Sequence, residues 1–374
     1  MFYGEFAKNI ESEKNNFTFK LIYAIGIIFV VAGHCKNGGI SIFYEWFPIY
    51  SFHLALFMFS SGYFYKEKSE ENILGYIGKK IKRLVIPLYV WNIIYGFFVQ
   101  FTRIKGFAIG ENLNIYNIVI SPWTHGQVFE YNLCLWYVAT LFLVEVFNIF
   151  FRVLLKKVHL KNEYIVFCIY LVLGMIGMYS VSLNYIKGAW LILNRFLYFL
   201  PFYGFGILYK RKLEKYDTAK NLFYFATIIT IQLIIIIINK KSIVFTVCWL
   251  NDMKYPFYFP ILIGFTGIAF WFRICKILTP ALKDSKTINI IANNTYAIMT
   301  HQFIGFFTVK YIFGELSKVS TYFKGFDWYR FKTDIWYYFI PQQINQWLII
   351  YLMAGIFIPI LISYILKKLK SFFI

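Results

Sequence analysis

From Phe17 onward the chain alternates apolar runs of about 20 residues with short clusters of lysine, arginine and glutamate. A run of about 20 apolar residues crosses a hydrocarbon core of about 30 Å as an α-helix, which pairs every backbone amide internally. Such runs cover residues 17–35, 46–65, 84–102, 133–151, 164–181, 190–209, 222–239, 255–272, 288–313 and 344–366. They are continuous, whereas the strands of a membrane β-barrel alternate apolar and polar residues over about 10 positions. The predicted fold is therefore all-α: a polytopic bundle of about ten transmembrane helices. It forms one membrane domain, residues 17–366, between a polar tail (1–16) and a basic tail (367–374).

Composition agrees, since 59% hydrophobic and 15% charged residues leave too few charges for a soluble domain of 374 residues. The net charge of +20 raises the question of nucleic acid, but the basic residues sit between apolar spans rather than in one patch. Topology explains them. With alternate connecting segments assigned to the same side, 25 basic residues face one side and 11 the other, and Arg195 and Lys310 fall inside spans. The richer side is expected to be cytoplasmic and to hold both termini. Trp46, Trp123, Trp190, Trp328, Trp336 and Trp347 fall near the opposite interface, where aromatic belts belong. No small-residue cleavage site follows the first apolar run, so that run is expected to stay as an anchor. Cys35, Cys134, Cys168, Cys248 and Cys275 are scattered singly, so packing is their expected role and no metal ligand set is expected.

Ionisable groups inside apolar spans are costly and mark candidate chemistry. His34 and His53 lie in the first two spans, at similar depth if those helices run antiparallel. A neutral imidazole takes a proton from a hydroxyl and returns it to a leaving group, as acyl transfer to an alcohol requires. Histidines also bond helices together for packing, and spacing alone leaves both readings open. Ser60 and Ser61 read as packing residues. Lys79, Lys80, Lys82 and Arg83 precede the third span, where charge keeps the loop inside and attracts anionic lipid. Lys80 and Arg83, one turn apart, would also clamp phosphate, aided by amides if a helix begins there. Arg195 beside Asn194 either snorkels or faces a polar cavity. Glu145, in the span that opens near Trp136, needs a partner, and His301 either lines the same cavity or bonds a neighbouring helix. No P-loop, HExxH or dinucleotide fingerprint is present.

The segments IGIIFVVAGH ending at His34, FHLALFMFSSGYFYK, KRLVIPLYVWNIIYG, LWYVATLF from Leu135 and NNTYAIMTHQF, in that order, resemble the acyltransferase 3 family of integral membrane acyltransferases. The fucose 4-O-acetylase-like and polysaccharide-intercellular-adhesin-like branch is similar. The resemblance implies an acyl-CoA donor, by default acetyl-CoA, on the cytoplasmic side of the plasma or inner membrane. It implies a sugar hydroxyl of a cell-surface glycan or lipid-linked precursor as acceptor. His34 would be the catalytic base, His53 would orient it or stabilise developing charge, and Lys80 and Arg83 would hold the CoA phosphates. Arg195, Asn194, Trp136, His301 and Glu145 are the candidate acceptor-binding residues. The family's basic residue eleven positions before the catalytic histidine is Tyr23 here; Lys20, one turn earlier, is its candidate substitute. That departure keeps an inactive member among the readings, and intramembrane histidines also suit a polysaccharide transporter.

Overall fold

A computed structural model describes residues 17–36, 39–40, 46–250 and 253–372, with side chains to Leu369. The predicted tail 1–16 and the last residues of the tail 367–374 lie outside the described residues. The principal helices are α1 (Phe17–His34), α2 (His53–Tyr63), α3 (Ile73–Ile104), α4 (Leu133–Lys157), α5 (Glu163–Ser182), α6 (Ala189–Tyr216), α7 (Asn221–Asn239), α8 (Phe259–Leu282), α9 (Lys286–Asn293), α10 (Thr295–Ser317) and α11 (Leu348–Phe372). No strand occurs among the described residues. Eight of these helices are long and apolar enough to cross a membrane.

Each of the ten predicted spans contains a helix, with three differences. Only 11 residues of the second span form α-helix, because Pro48 holds an extended backbone before a short turn at Ile49–Ser51. The third helix starts at Ile73, well before the predicted 84, since charged residues such as Lys79 and Lys80 continue a helix beyond the apolar core. The ninth span is broken at Asn294, which ends α9 and precedes α10. In addition, α11 runs on through Lys367 and Lys368, where a separate tail was expected.

Helix α1 is the hub. It is apolar on all sides and 72% of it is buried, against 17% for α7, so α1 is enclosed by protein while α7 presents its isoleucines outward. It packs against α2, α8, α9, α10 and α11. Helices α2 and α6 cross closely enough that a Cβ on Gly62 would strike the carbonyl of Tyr203, and one on Gly206 the carbonyl of Phe59. Small residues allow this approach, and dispersion across the crossing holds helices that have no hydrophobic drive to associate within lipid. After α7 the chain turns back into the bundle: Phe245 and Leu250 are buried, and Ser51 donates to the carbonyl of Ile243.

Ion pairs join the connections at one end. Glu163 accepts from Arg152 (2.8 Å) and Arg211 (2.5 Å), and Lys156 reaches Glu70 (2.7 Å). Asp217, just beyond α6, pairs with Arg273 and Lys276 of α8. Partial burial opposes its ionisation, but Lys276, the Tyr209 hydroxyl and Arg273 outweigh burial and hold its carboxyl below the usual range.

Two outcomes follow from this packing. Gly206→Leu should destabilise the detergent-solubilised protein by about 2 kcal/mol or more, read as a lower melting temperature, because backbone rather than a movable side chain blocks the added atoms; an unchanged Tm would contradict the crossing. The Asp217 pairing is fully present above its unfolded pKa of about 3.9 and is lost as pH falls through the lower folded value. The Tm difference between wild type and Asp217→Asn should therefore shrink as pH drops below about 4; a difference that grows there would contradict the pairing.

Candidate functional site

One cavity of about 450 Å³ runs through the bundle beside α1. Its α1 wall carries Lys20, Tyr23, Ile27, Val30 and His34. These residues step by three and four, which places them on one stripe of a helix, and the 14 residues from Lys20 to His34 rise about 21 Å. Lys66, Lys79, Lys80 and Arg83 surround the end near Lys20. His53, Tyr50, Cys134 and Trp136 line the end near His34, where Thr246, Val247 and Cys248 of the inturned segment also face the cavity. Between the two ends the walls are mainly apolar, with Ile27, Val30, Phe57 and Leu141.

The basic end is shaped by a local break in α3. Pro87 has no N–H for the carbonyl of Arg83, and the helix adjusts through a π-turn at Ile81–Val85, where the amide of Ile86 reaches the carbonyl of Ile81. Lys80 and Arg83 flank that irregularity. No free helix N-terminus lies there, because α3 already begins at Ile73 and its amides at Lys80 are paired; the expected contribution of helix-end amides to anion binding is therefore corrected. What remains is side-chain charge. Lys80 Nζ bonds Glu145 Oε1 at 2.6 Å and lies 5.2 Å from the Tyr76 ring, while Arg83 forms no ion pair among the described residues. Lys80 is thus the partner that a buried Glu145 requires. Lys20 Nζ donates to Asn289 Oδ1 at 2.9 Å at the same opening.

At the histidine end, hydrogen-bond accounting fixes tautomers. The carbonyl of Met299 accepts from Gln302 Nε2 (3.1 Å), which orients the amide and turns Oε1 toward His34 Nδ1 (3.2 Å). An amide oxygen only accepts, so Nδ1 carries a hydrogen and, in the neutral ring, Nε2 carries the lone pair. The second amide hydrogen of Gln302 points to Cys134 Sγ (3.1 Å), which lies 4.0 Å from His34 Nε2. His53 is fixed in the same way: its Nδ1 donates to the carbonyl of Ile49 (2.8 Å), which leaves its Nε2 as an acceptor. Tyr50 bridges the two histidines, edge-on to His53 (5.5 Å) and donating to the carbonyl of Gly33 next to His34. Two neutral imidazoles, each with one free lone pair, thus share one cavity.

A profile described as "Acyltransferase domain" (Acyl_transf_3) matches residues 19–368, nearly the whole chain. The chain belongs to the acyltransferase 3 family. No curated protein and no solved structure matches it. Membership in an acyltransferase family favours acyl transfer over transport.

In this acyltransferase His34, His53, Lys80, Arg83, Trp136 and Glu145 all line the cavity. Arg195, Asn194 and His301 are buried and stand outside its lining. Arg195 lies over the Trp136 ring (4.6 Å) and donates to the carbonyls of His125 and Cys248, so it ties two connecting segments to the far end of the site. Asn194 accepts from Ser180 Oγ (2.6 Å) and donates to the carbonyl of Tyr185 (2.7 Å), joining α5 to α6. His301 bonds Tyr95 Oη (2.7 Å) and meets the edge of Trp91. Ser60 and Ser61 return their hydroxyls to carbonyls of their own helix. Gln302, Cys134 and Tyr50 did not stand out in the sequence. Gln302 follows His301 directly and faces another direction on α10, and only the three-dimensional arrangement selects it.

Gln302→Leu removes the acceptor that holds His34 in its Nδ1–H form. Its kcat should fall about tenfold or more, equivalent to about 1.4 kcal/mol, with KM for the acyl donor unchanged. Steady-state kinetics on the purified variant test this, and an unchanged kcat would reduce Gln302 to packing.

Proposed function

We propose that the protein is an O-acyltransferase that takes an acyl group, by default acetyl, from cytoplasmic acyl-CoA and delivers it to a hydroxyl of a cell-surface glycan or lipid-linked precursor. The observation that carries this reading is the continuity of one cavity from the basic collar to His34. CoA joins a cluster of phosphates to a long, thin arm with the thioester at its far end. A charged mouth, a narrow apolar passage and a base at the opposite end are complementary to that shape. On this reading Lys80 and Arg83 hold the phosphates, and the basic end faces the cytoplasm of the plasma or inner membrane, with both termini on that side. Lys20 shares the same opening and stands in for the basic residue that the family keeps where this chain has Tyr23. This supports an active rather than a lapsed enzyme.

His34 Nε2 accepts the proton of the acceptor hydroxyl as its oxygen attacks the thioester carbonyl, and returns the proton to the departing CoA thiolate. His53 presents its own Nε2 lone pair and helps to orient the hydroxyl. The Trp136 ring offers the sugar an apolar face, with Arg195 and Asn194 supporting that end and His301 steadying α10. Glu145 holds Lys80 at the wall and sets its position for phosphate. The bundle supplies proximity and a fixed polar environment, while the donor supplies the activated acyl group.

His34→Ala should lower glycan O-acylation by about 10²- to 10⁴-fold with unchanged expression and membrane insertion. The double variant Lys80→Ala/Arg83→Ala should instead raise KM for acyl-CoA about tenfold or more, with a smaller effect on the acceptor. Radiolabelled transfer assays in membranes measure both. Full activity in His34→Ala, or acyl-CoA binding that is unaffected by loss of both cations, would overturn the reading.

A further inference from the structure

We propose that Tyr137 and Glu145 form a hydrogen-bonding subsite along the passage that recognises the amide groups of the donor's pantetheine arm. This rests on the reading of the cavity as an acyl-CoA site and specifies how the arm, as distinct from the phosphates and the thioester, is bound. On α4, Cys134, Tyr137, Val138, Leu141 and Glu145 all line the cavity, and their helical spacing puts them on one stripe. Cys134 lies beside His34 and Glu145 is bonded to Lys80, so the stripe follows the passage from the base to the basic collar.

Two polar atoms on that stripe lack partners. Glu145 is 3% exposed; Lys80 takes its Oε1, whereas its Oε2 has no hydrogen bond among the described residues. Tyr137 is 7% exposed, and its hydroxyl also has no partner among the described residues, so the two are not bonded to each other. The Tyr137 hydroxyl interacts electrostatically with Tyr23 and Glu145, which places it toward the middle of the passage and away from the reacting atoms. Buried polar groups left unpaired are costly, and a carboxylate oxygen more so than a hydroxyl. The two atoms are also of opposite kinds, since the phenol has a hydrogen to donate and the carboxylate only accepts.

A secondary amide offers a carbonyl to the first and an N–H to the second, whereas a hydrocarbon chain satisfies neither. The pantetheine arm of CoA carries two such amides between its phosphates and its sulfur, in the stretch that crosses this part of the cavity. Tyr137 would donate to an amide carbonyl of the arm and Glu145 Oε2 would accept from an amide N–H. These contacts hold the arm in register, so that the thioester stops beside His34, and they select against acyl donors with a purely hydrocarbon arm. No covalent step is added, and transfer stays direct from CoA to the acceptor hydroxyl.

Isothermal titration of the purified full-length protein with CoA and with its phosphate half, adenosine bisphosphate, tests the subsite. Tyr137→Phe should weaken CoA about fivefold or more and leave adenosine bisphosphate within about twofold. Its melting temperature without ligand should stay level or rise, because an unpaired hydroxyl has gone. Lys80→Ala/Arg83→Ala should instead weaken both ligands. Loss of Glu145 also releases Lys80, so there the ligand is varied together with the residue. A CoA analogue with esters in place of the arm amides keeps the carbonyls and loses the N–H groups. Wild type should bind it about tenfold or more weakly than CoA, and Glu145→Ala should bind the two within about threefold. CoA affinity in Tyr137→Phe within about twofold of wild type, or equal weakening of adenosine bisphosphate, would overturn the subsite and leave the proposed function standing. Failure of the wild type to bind either ligand would instead remove the proposed function itself.

Discussion

A polar group enclosed by an apolar bundle must find its partners within the protein, and the amide of Gln302 is where that requirement becomes functional. Its nitrogen is committed to the Met299 carbonyl and to Cys134, so its oxygen faces His34 and fixes which imidazole nitrogen is basic. Water, which would let the ring exchange tautomers freely, is replaced by two side chains and a carbonyl on two helices. The low dielectric that makes an unpaired group so costly also makes this arrangement hold. On the proposed reading, catalytic readiness is a by-product of satisfying buried hydrogen bonds.

The same economy of structure links the two ends of the cavity. Helix α1 is largely enclosed by protein, and the stripe of it from Lys20 to His34 faces the cavity. A rigid helix therefore sets the distance between charge and base, and neither depends on a loop. The irregularity at the other wall has a local cause, since Pro87 relaxes α3 through a π-turn beside Lys80 and Arg83. Glu145 shares the wall and holds Lys80 inward, away from the snorkelling position a lysine at a helix end would otherwise take. Ion pairs among Glu163, Arg152 and Arg211 close that end of the bundle around the opening.

The helical architecture was legible because hydrophobic runs of bilayer length have one stable solution. His34 stood out because imidazoles are rare in such runs, and Lys80 and Arg83 because they belong to a basic cluster at the edge of one; all three line the cavity. Other features were hidden for physical reasons. The length of α2 depends on Pro48 and the turn after it, which a hydropathy pattern averages away. Glu145 was expected to need a partner, but which cation reached it depended on helix packing. His301 drew attention as an ionisable residue, whereas its neighbour Gln302, neutral and unremarkable in sequence, is the one aimed at the site. Cys134 carries no spacing signal in the sequence, and only the meeting of α4, α1 and α10 brings its sulfur beside His34 and Gln302.

The central claim is that the space beside α1 is one passage, with phosphate-binding cations at one end and the free lone pair of His34 at the other. An experimental structure of the protein with a non-reactive acyl-CoA analogue tests it most directly. The account predicts phosphates against Lys20, Lys80 and Arg83, the arm along Tyr23 and Ile27, and the acyl carbon beside His34 Nε2. An analogue whose phosphates engage those cations while its acyl end lies outside the bundle, away from His34, would contradict it.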